Sequence, residues 1–181
     1  VSGVKVSKDA INPGDVVEIS TSITNGGGLT SDRYVLQTTV TKDGSVVKVF
    51  TNEVDPMQPT SSKQINNTYI FGKYDAPGNY KIVAVLKDLA GRQVSTSEDL
   101  QNIFVNVNEV PSTTVSGKST QLGILNIKVT VTVKNEGNVP AKNFYVTESI
   151  PFIARELFEP AAKPDTTKTE GASIVYGWFV D

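Results

Sequence analysis

The sequence predicts an all-β protein built from two tandem β-sandwiches, the second of them incomplete within this chain. Three observations support this prediction. Most segments alternate apolar and polar residues with a period of two, as expected for a strand with one buried face. Turn residues recur at intervals of roughly 8–12 residues, which is typical of short strands packed in two sheets. No apolar period of 3.6 residues persists for three helical turns, so we expect no long helix.

Residues 75–86 are the centre of the first predicted sandwich. Pro77 fixes its own φ and Gly78 accepts a positive φ, so the pair bends the chain sharply. Tyr80 then opens a strand in which alternate side chains, at Tyr80, Ile82, Ala84 and Leu86, are expected to be buried. A tyrosine that follows such a turn is the arrangement of a tyrosine corner, which immunoglobulin-like sandwiches place at the start of strand F. We therefore predict immunoglobulin-like sandwiches.

The first predicted domain, residues 1–109, has enough short strands to complete a sandwich. The pair Asp43-Gly44 predicts a two-residue hairpin between two of them. The strands are expected at residues 4–6, 16–24, 33–42, 45–51, 64–71, 80–87, 93–95 and 103–107. Prolines at Pro56 and Pro59 indicate a connection rather than a central strand between the fourth and fifth strands.

The second predicted domain, residues 110–181, has only about four predicted strands. The clearest runs over residues 125–134, and others are expected at residues 141–149 and 174–180. Residues 116–119 are predicted as a turn, and residues 152–171 as an irregular loop in which only residues 153–158 could form a helix. Four strands leave an inner face uncovered, and an apolar final strand would be adhesive. We expect this domain to be truncated or to be completed by another chain.

The composition excludes several classes of function. The chain has no Cys and no His, so thiolate zinc sites and the Ser-His-Asp and Cys-His catalytic classes are excluded. Net charge is −2, with no arginine-rich run among aromatics, so we expect no nucleic-acid partner. No apolar run is long enough to span a membrane, and we expect no membrane contact from this segment. We predict no enzyme activity, no catalytic residue, no cofactor and no metal.

One modification site is predicted. Asn66-Asn67-Thr68 is the single N-glycosylation sequon in the sequence. Because Asn66 alternates with Ile65 and Asn67, we expect its side chain to point to solvent. Asn66 is therefore a candidate glycan acceptor.

Two further groups of residues could bind a ligand, but simpler roles are favoured for both. Four acidic loop residues are candidates for calcium, but their spacing is not that of an EF-hand, and capping of turns is favoured: Asp75, Asp88, Glu98 and Asp99. Five aromatic residues could form a sugar-stacking surface, but packing in the core is favoured: Tyr34, Tyr69, Phe71, Trp178 and Phe179.

The motifs of the first segment occur in the order of a known family. These are the turn at residues 12–15, the strand to Asn25, the Asp43-Gly44 hairpin, the proline-flanked stretch before Ser61, and the corner at residues 77–80. In this order they resemble CARDB-type, immunoglobulin-like modules of archaeal and bacterial surface proteins. The chain departs from the family at residues 57–59, where the Pro-Gly-Glu of the family is not matched.

The second segment resembles another surface module. Residues 129–151 are similar to the DUF11-like repeat of cell-surface and S-layer-associated proteins. In that family a Trp-containing strand is followed by a further turn and two more strands, whereas this chain stops soon after Trp178. The two resemblances imply an extracellular, cell-surface location and a non-catalytic structural or adhesive role, and neither family has common catalytic residues to carry over.

The sequence is compatible with several partners and with two alternative functions. The expected partners are protein neighbours or surface glycans, and the open edge of the second domain could support a homo-oligomer. One alternative is a surface filament subunit that assembles by strand exchange, with residues 1–6 as the donor strand. The other is a carbohydrate-binding or spacer module of a secreted hydrolase.

Overall fold

The computed structural model describes residues 1–97, 103–121 and 127–180. Two compact units are present: Val1–Val110 with Gly137–Val139, and Pro111–Glu136 with Pro140–Asp181. Strands dominate both units, which confirms the all-β class. Within the described ranges, no helix has the length and apolarity needed to cross a membrane.

The first unit is a sandwich of two sheets. One sheet has the order β1-β3-β6, and the other the order β2-β9-β7-β4-β5, with β8 also pairing with β7. All pairs are antiparallel except β2 with β9. The strands are β1 (Gly3–Val6), β2 (Ala10–Ile11), β3 (Val16–Thr24), β4 (Tyr34–Lys42), β5 (Ser45–Val54), β6 (Ser62–Ile70), β7 (Gly78–Lys87), β8 (Gln93–Thr96) and β9 (Ile103–Val107). This architecture confirms the predicted immunoglobulin-like sandwich class.

The core of the first unit lies between the inner faces of these sheets. Alternate residues of β3 point inward, and Val17 and Ile19 have no exposed surface. On the facing sheet, Leu36 and Val40 of β4 are equally inaccessible. Edge-to-face aromatic contacts continue the core from Phe50 of β5 through Tyr69 and Phe71 to Tyr80: the ring centroids are 6.4, 4.5 and 5.1 Å apart. Burial of these faces supplies most of the stabilisation of the unit.

The tyrosine corner is present as predicted. Tyr80 is 2% exposed, and its hydroxyl donates a hydrogen bond of 2.8 Å to the carbonyl oxygen of Ala76. The turn favours glycine at position 78, because φ is +109°, a conformation that residues with a side chain rarely adopt. The Lys42 ammonium lies 5.6 Å from the Tyr80 ring centroid, within cation–π range. The corner thus ties the start of β7 to the preceding turn and to β4.

The Asp43-Gly44 hairpin has the geometry that its sequence predicts. Both residues have positive φ, 49° and 80°, as a type I′ turn requires. The hairpin joins β4 to β5, and β5 continues to Val54, three residues beyond the prediction. The two-residue strand β2 is absent from the predicted strands, because two residues paired with β9 are too short to leave a periodic pattern in the sequence.

The second unit contains two smaller sheets. β10 pairs with β11, and the other sheet has the order β12-β14-β13. Its elements are β10 (Thr113–Gln121), β11 (Ile127–Asn135), β12 (Phe144–Pro151), a 3₁₀ helix (Phe152–Leu157), β13 (Thr166–Glu170) and β14 (Ser173–Val180). Within β14, Ile174 is buried, and Val175 on the other face is buried as well.

Two predictions for the second segment are wrong. Residues 116–119, predicted as a turn, lie within β10 and pair with β11 in unbroken register. Residues 152–171, predicted as an irregular loop, include β13, so the described residues hold five strands in this unit instead of about four, while the 3₁₀ helix falls where the sequence allowed one, at residues 153–158. The residues of β13 and residues 113–120 of β10 are exposed and mostly polar. Pairing with a neighbouring strand, rather than an apolar period, makes β10 and β13 strands.

We predict that Tyr80→Phe lowers the free energy of unfolding by about 1 kcal/mol at pH 8, the usual net value of one hydrogen bond. Burial, followed by the Asp75 carboxylate, raises the pKa of Tyr80 to about 12. The neutral phenol therefore contributes stability that is complete below the unfolded pKa of about 10 and is lost as pH rises through about 12. The difference in stability between wild type and variant should shrink over that interval.

Urea unfolding from pH 8 to pH 11.5, followed by circular dichroism, measures this difference. Tyr74→Phe is the matched control. Because Tyr74 is 58% exposed, this substitution should leave both the stability at pH 8 and its dependence on pH as they are in wild type. Equal stability of Tyr80→Phe and wild type at pH 8 would contradict the role given to the corner.

Candidate functional site

An open apolar groove lies within the second unit, between β11 and the β12-β14-β13 sheet. Its volume is about 450 Å³, within the range of roughly 300–1,000 Å³ that ligand pockets span. Val129, Val131 and Val133 of β11 line one wall, and Val146 and Trp178 lie on the facing sheet. Val129 is 45% exposed and Val131 is 38% exposed. The inner face of β11 is therefore only half covered.

The groove stays open because β10 adds little apolar cover. In the register of the pair, Val115, Gly117 and Ser119 of β10 lie opposite Val133, Val131 and Val129 in that order. Only one of these three β10 residues is a large apolar residue, and Val115 is itself 64% exposed. A two-stranded sheet is marginally stable by itself and needs further strands or a covering layer.

Aromatic contacts line the face of the sheet that lies opposite β11. Trp178 Nε1 donates a hydrogen bond of 3.0 Å to the carbonyl oxygen of Ala162. Tyr176 lies between Phe158 and Trp178, with ring centroids 4.9 and 6.4 Å away. Because the indole N–H already has an acceptor, Trp178 presents mainly apolar surface to the groove. Three charged residues also line the groove: Lys128, Glu148 and Glu159.

The opposite face of the same sheet carries a second feature, an exposed pair of aromatic rings. Tyr145 of β12 and Phe179 of β14 are directly opposite in the register, and their ring centroids are 4.8 Å apart with planes at 43°. They are 43% and 63% exposed. The Tyr145 hydroxyl is hydrogen-bonded to Thr166 Oγ1 and occupies the space that a Cβ at Gly177 would take. Glycine at position 177 is thus what allows the Tyr145 ring to lie over the sheet.

The glycosylation candidate Asn66 lies on β6 with its side chain exposed, while Asn67 is 7% exposed on the inner face. Its Oδ1 accepts hydrogen bonds from Ser20 Oγ at 2.9 Å and Gln64 Nε2 at 3.1 Å. These bonds hold the side chain against the solvent face of the β1-β3-β6 sheet and leave its Nδ2, the atom to which a glycan is attached, outside the hydrogen bonds of the described residues.

The acidic loop residues that the structure describes cap turns. Asp75 Oδ2 accepts a hydrogen bond of 2.8 Å from the Gly72 amide. Asp88 accepts one from the Arg92 amide and one from Arg92 Nε, at 2.8 and 2.7 Å. The hydrogen bond from the Arg92 amide, together with the Arg92 guanidinium, lowers the pKa of Asp88 below its usual value. Glu98 and Asp99 lie outside the described residues. Residues 1–97, 103–121 and 127–180 contain no group of three or more His, Cys, Asp or Glu side chains suited to a metal ion.

The aromatic candidates separate into two groups. Phe71 is 1% exposed and packs against Tyr69, and Tyr34 is half-buried against the core of the first unit, as the favoured interpretation predicts. Phe179 is different, because it is mostly exposed. Its partner Tyr145 was not among the candidates. Alternation along β12 could have placed Tyr145 on the face opposite Val146, but its pairing with Phe179 depends on a cross-strand register.

Comparisons with known proteins give distant structural likenesses. No protein-family model and no curated protein sequence matches this chain. Among solved structures, the CARDB domain of a Pyrococcus furiosus protein in complex with di-metal ions has a TM-score of 0.41 at 18% identity, over 58% of this chain and 85% of that chain. Alkylpurine DNA glycosylase AlkC of Pseudomonas fluorescens, bound to DNA containing an abasic site analogue, has a TM-score of 0.41 at 10% identity, over 58% of this chain and 29% of that chain. Chicken MD-1 complexed with lipid IVa has a TM-score of 0.30 at 11% identity, over 52% of this chain and 76% of that chain.

Proposed function

We propose that this chain is a non-catalytic structural and adhesive module of an extracellular, cell-surface or S-layer-associated protein. Its second unit holds a protein neighbour in the groove between β11 and the β12-β14-β13 sheet. The half-exposed valines of β11 are the observation that supports this proposal. Apolar surface left open on a strand edge favours association, because covering it removes apolar area from water.

The neighbour best suited to the groove is an extended β-strand. β10 and β11 form a sheet of two strands, so residues 128–133 of β11 have one edge that pairs with no other strand among the described residues. A strand added at that edge would form main-chain hydrogen bonds and insert alternate side chains between the two sheets. Apolar residues at every second position would meet Val129, Val131 and Trp178.

The amino-terminal segment is poorly suited to be the donor of that strand. Residues 3–6 form β1, which pairs with β3 within the first unit, and Val4 is 8% exposed in the core there. Donation of this segment would uncover the core of its own unit. Strand exchange with residues 1–6 as the donor is therefore not favoured. Association through the open second unit is favoured instead.

A surface location is proposed together with Asn66 as a glycan acceptor. The support is the exposed position of Asn66 and the resemblance of both segments to surface modules. A glycan at Asn66 would project from the solvent face of the β1-β3-β6 sheet, on a different unit from the groove.

The association is tested by the solution mass of the chain, measured by light scattering across the micromolar range. We expect wild type to exceed the monomer mass of 19.5 kDa as its concentration rises. Val131→Glu places a charge in the groove and should keep the chain monomeric, because burying an unpaired carboxylate costs several kcal/mol. Val129→Lys, a second groove variant, should act in the same direction.

Thr132→Glu is the matched control, because Thr132 is exposed on the opposite face of β11. It should associate like wild type. Circular dichroism of each variant shows whether the fold is retained. A wild type that stays monomeric at every concentration, or equal association of Val131→Glu and Thr132→Glu, would contradict the role of the groove.

The glycan acceptor is tested by expression in a host that performs N-glycosylation, followed by mass spectrometry. We expect added glycan mass on wild type and its loss in Asn66→Gln and in Thr68→Ala, which removes the sequon. Asn79→Gln, a change at an exposed asparagine outside the sequon, should keep the glycan. Unmodified wild type from such a host would refute the assignment.

A further inference from the structure

We propose that the outer face of the β12-β14-β13 sheet binds a neutral pyranose sugar on the paired rings of Tyr145 and Phe179. This site is independent of the groove, since it lies on the opposite face of the sheet. Its ligand class follows from the shape of the ring pair, the polar groups around it and its size.

The two rings form a preorganised platform. The Tyr145 hydroxyl is hydrogen-bonded to Thr166 Oγ1, and the absence of a side chain at Gly177 leaves room for the ring to lie over the sheet. The backbone at Phe179 is also held, because its amide donates a hydrogen bond of 2.8 Å to Asp165 Oδ2. Rings fixed before binding lose little conformational entropy when a ligand stacks on them.

Stacking suits a sugar because a pyranose has one face of C–H bonds and a circumference of hydroxyl groups. The C–H face packs against the electron-rich face of an aromatic ring. The hydroxyl groups then need hydrogen-bond partners at the margin of the rings. In the sheet register, Thr147 and Thr166 flank Gly177 on this face, and Lys168 lies opposite Val175. Hydroxyl, ammonium and carboxylate groups therefore surround the platform.

The charges around the rings favour a neutral ligand. Lys168 forms an ion pair with Glu170, and the interaction with Glu170 raises the pKa of Lys168. Asp165 is engaged by the Phe179 amide. Lys168, Glu170 and Asp165 together carry a net charge of −1, which disfavours an anionic sugar. A polyol can still donate hydrogen bonds to the carboxylates.

The size of the platform favours a sugar over a folded protein. Two partly exposed rings offer apolar area on the order of 200 Å². Stable protein interfaces bury at least about 1,200 Å² in total. The platform matches one or two pyranose rings, and binding to so small a surface should be weak.

The test is calorimetric titration of the full 181-residue chain with three neutral probes, cellohexaose, maltohexaose and chitohexaose, and with dextran sulfate as the anionic comparison. We expect at least one neutral probe to bind in the micromolar to millimolar range. Phe179→Ala should weaken that binding about tenfold, equivalent to ~1.4 kcal/mol. Thr166→Val, which releases the Tyr145 hydroxyl, should weaken it by a smaller factor.

Two controls separate this site from the rest of the unit. Ile153→Ala removes an 89% exposed apolar side chain on the 3₁₀ helix and should bind like wild type. Thr132→Glu, at an exposed position on the face of β11 opposite the groove, should also leave sugar binding unchanged. Circular dichroism confirms that each variant is folded. The proposal is overturned if no neutral probe binds at millimolar concentration, if dextran sulfate alone binds, or if folded Phe179→Ala binds as well as wild type.

Discussion

The structure depends on one constraint: the apolar face of each strand has to be buried against another layer. In the first unit the two sheets cover each other, so Val17, Ile19 and Leu36 have no exposed surface. In the second unit β11 has the same alternation of apolar residues, yet Val129 and Val131 remain substantially exposed. One sequence pattern therefore gives a closed core in one unit and an open groove in the other, and the difference lies in what faces each strand.

Strands with an apolar period could be predicted from the sequence, and strands without one could not. β3 and β7 follow their predicted alternation of buried residues, and the Asp43-Gly44 turn follows from residues that accept positive φ. β10 and β13 were missed because their side chains are polar and exposed. What makes them strands is hydrogen bonding to β11 and β14, a non-local interaction that no local window of sequence contains.

The candidate sites divide in the same way. Asn66 is exposed, as its alternation with the buried Ile65 predicts. The pairing of Tyr145 with Phe179 required a cross-strand register between distant residues. Gly177 is a second example. Glycine is needed there because the Tyr145 ring lies over it, not because the chain turns. Surface features formed by residues of two different strands therefore cannot be predicted from the sequence alone.

Hydrogen–deuterium exchange of the isolated chain tests most directly the claim that one unit is closed and the other open. Amides in strands with buried faces exchange only through large unfolding events, whereas amides in sparsely covered sheets exchange through local opening. At concentrations that keep the chain monomeric, amides of β4 and β7 should exchange at least about a hundredfold more slowly than those of β10 and β11. Equal protection of β7 and β11 would mean that the second unit is as well covered as the first, and would contradict the account.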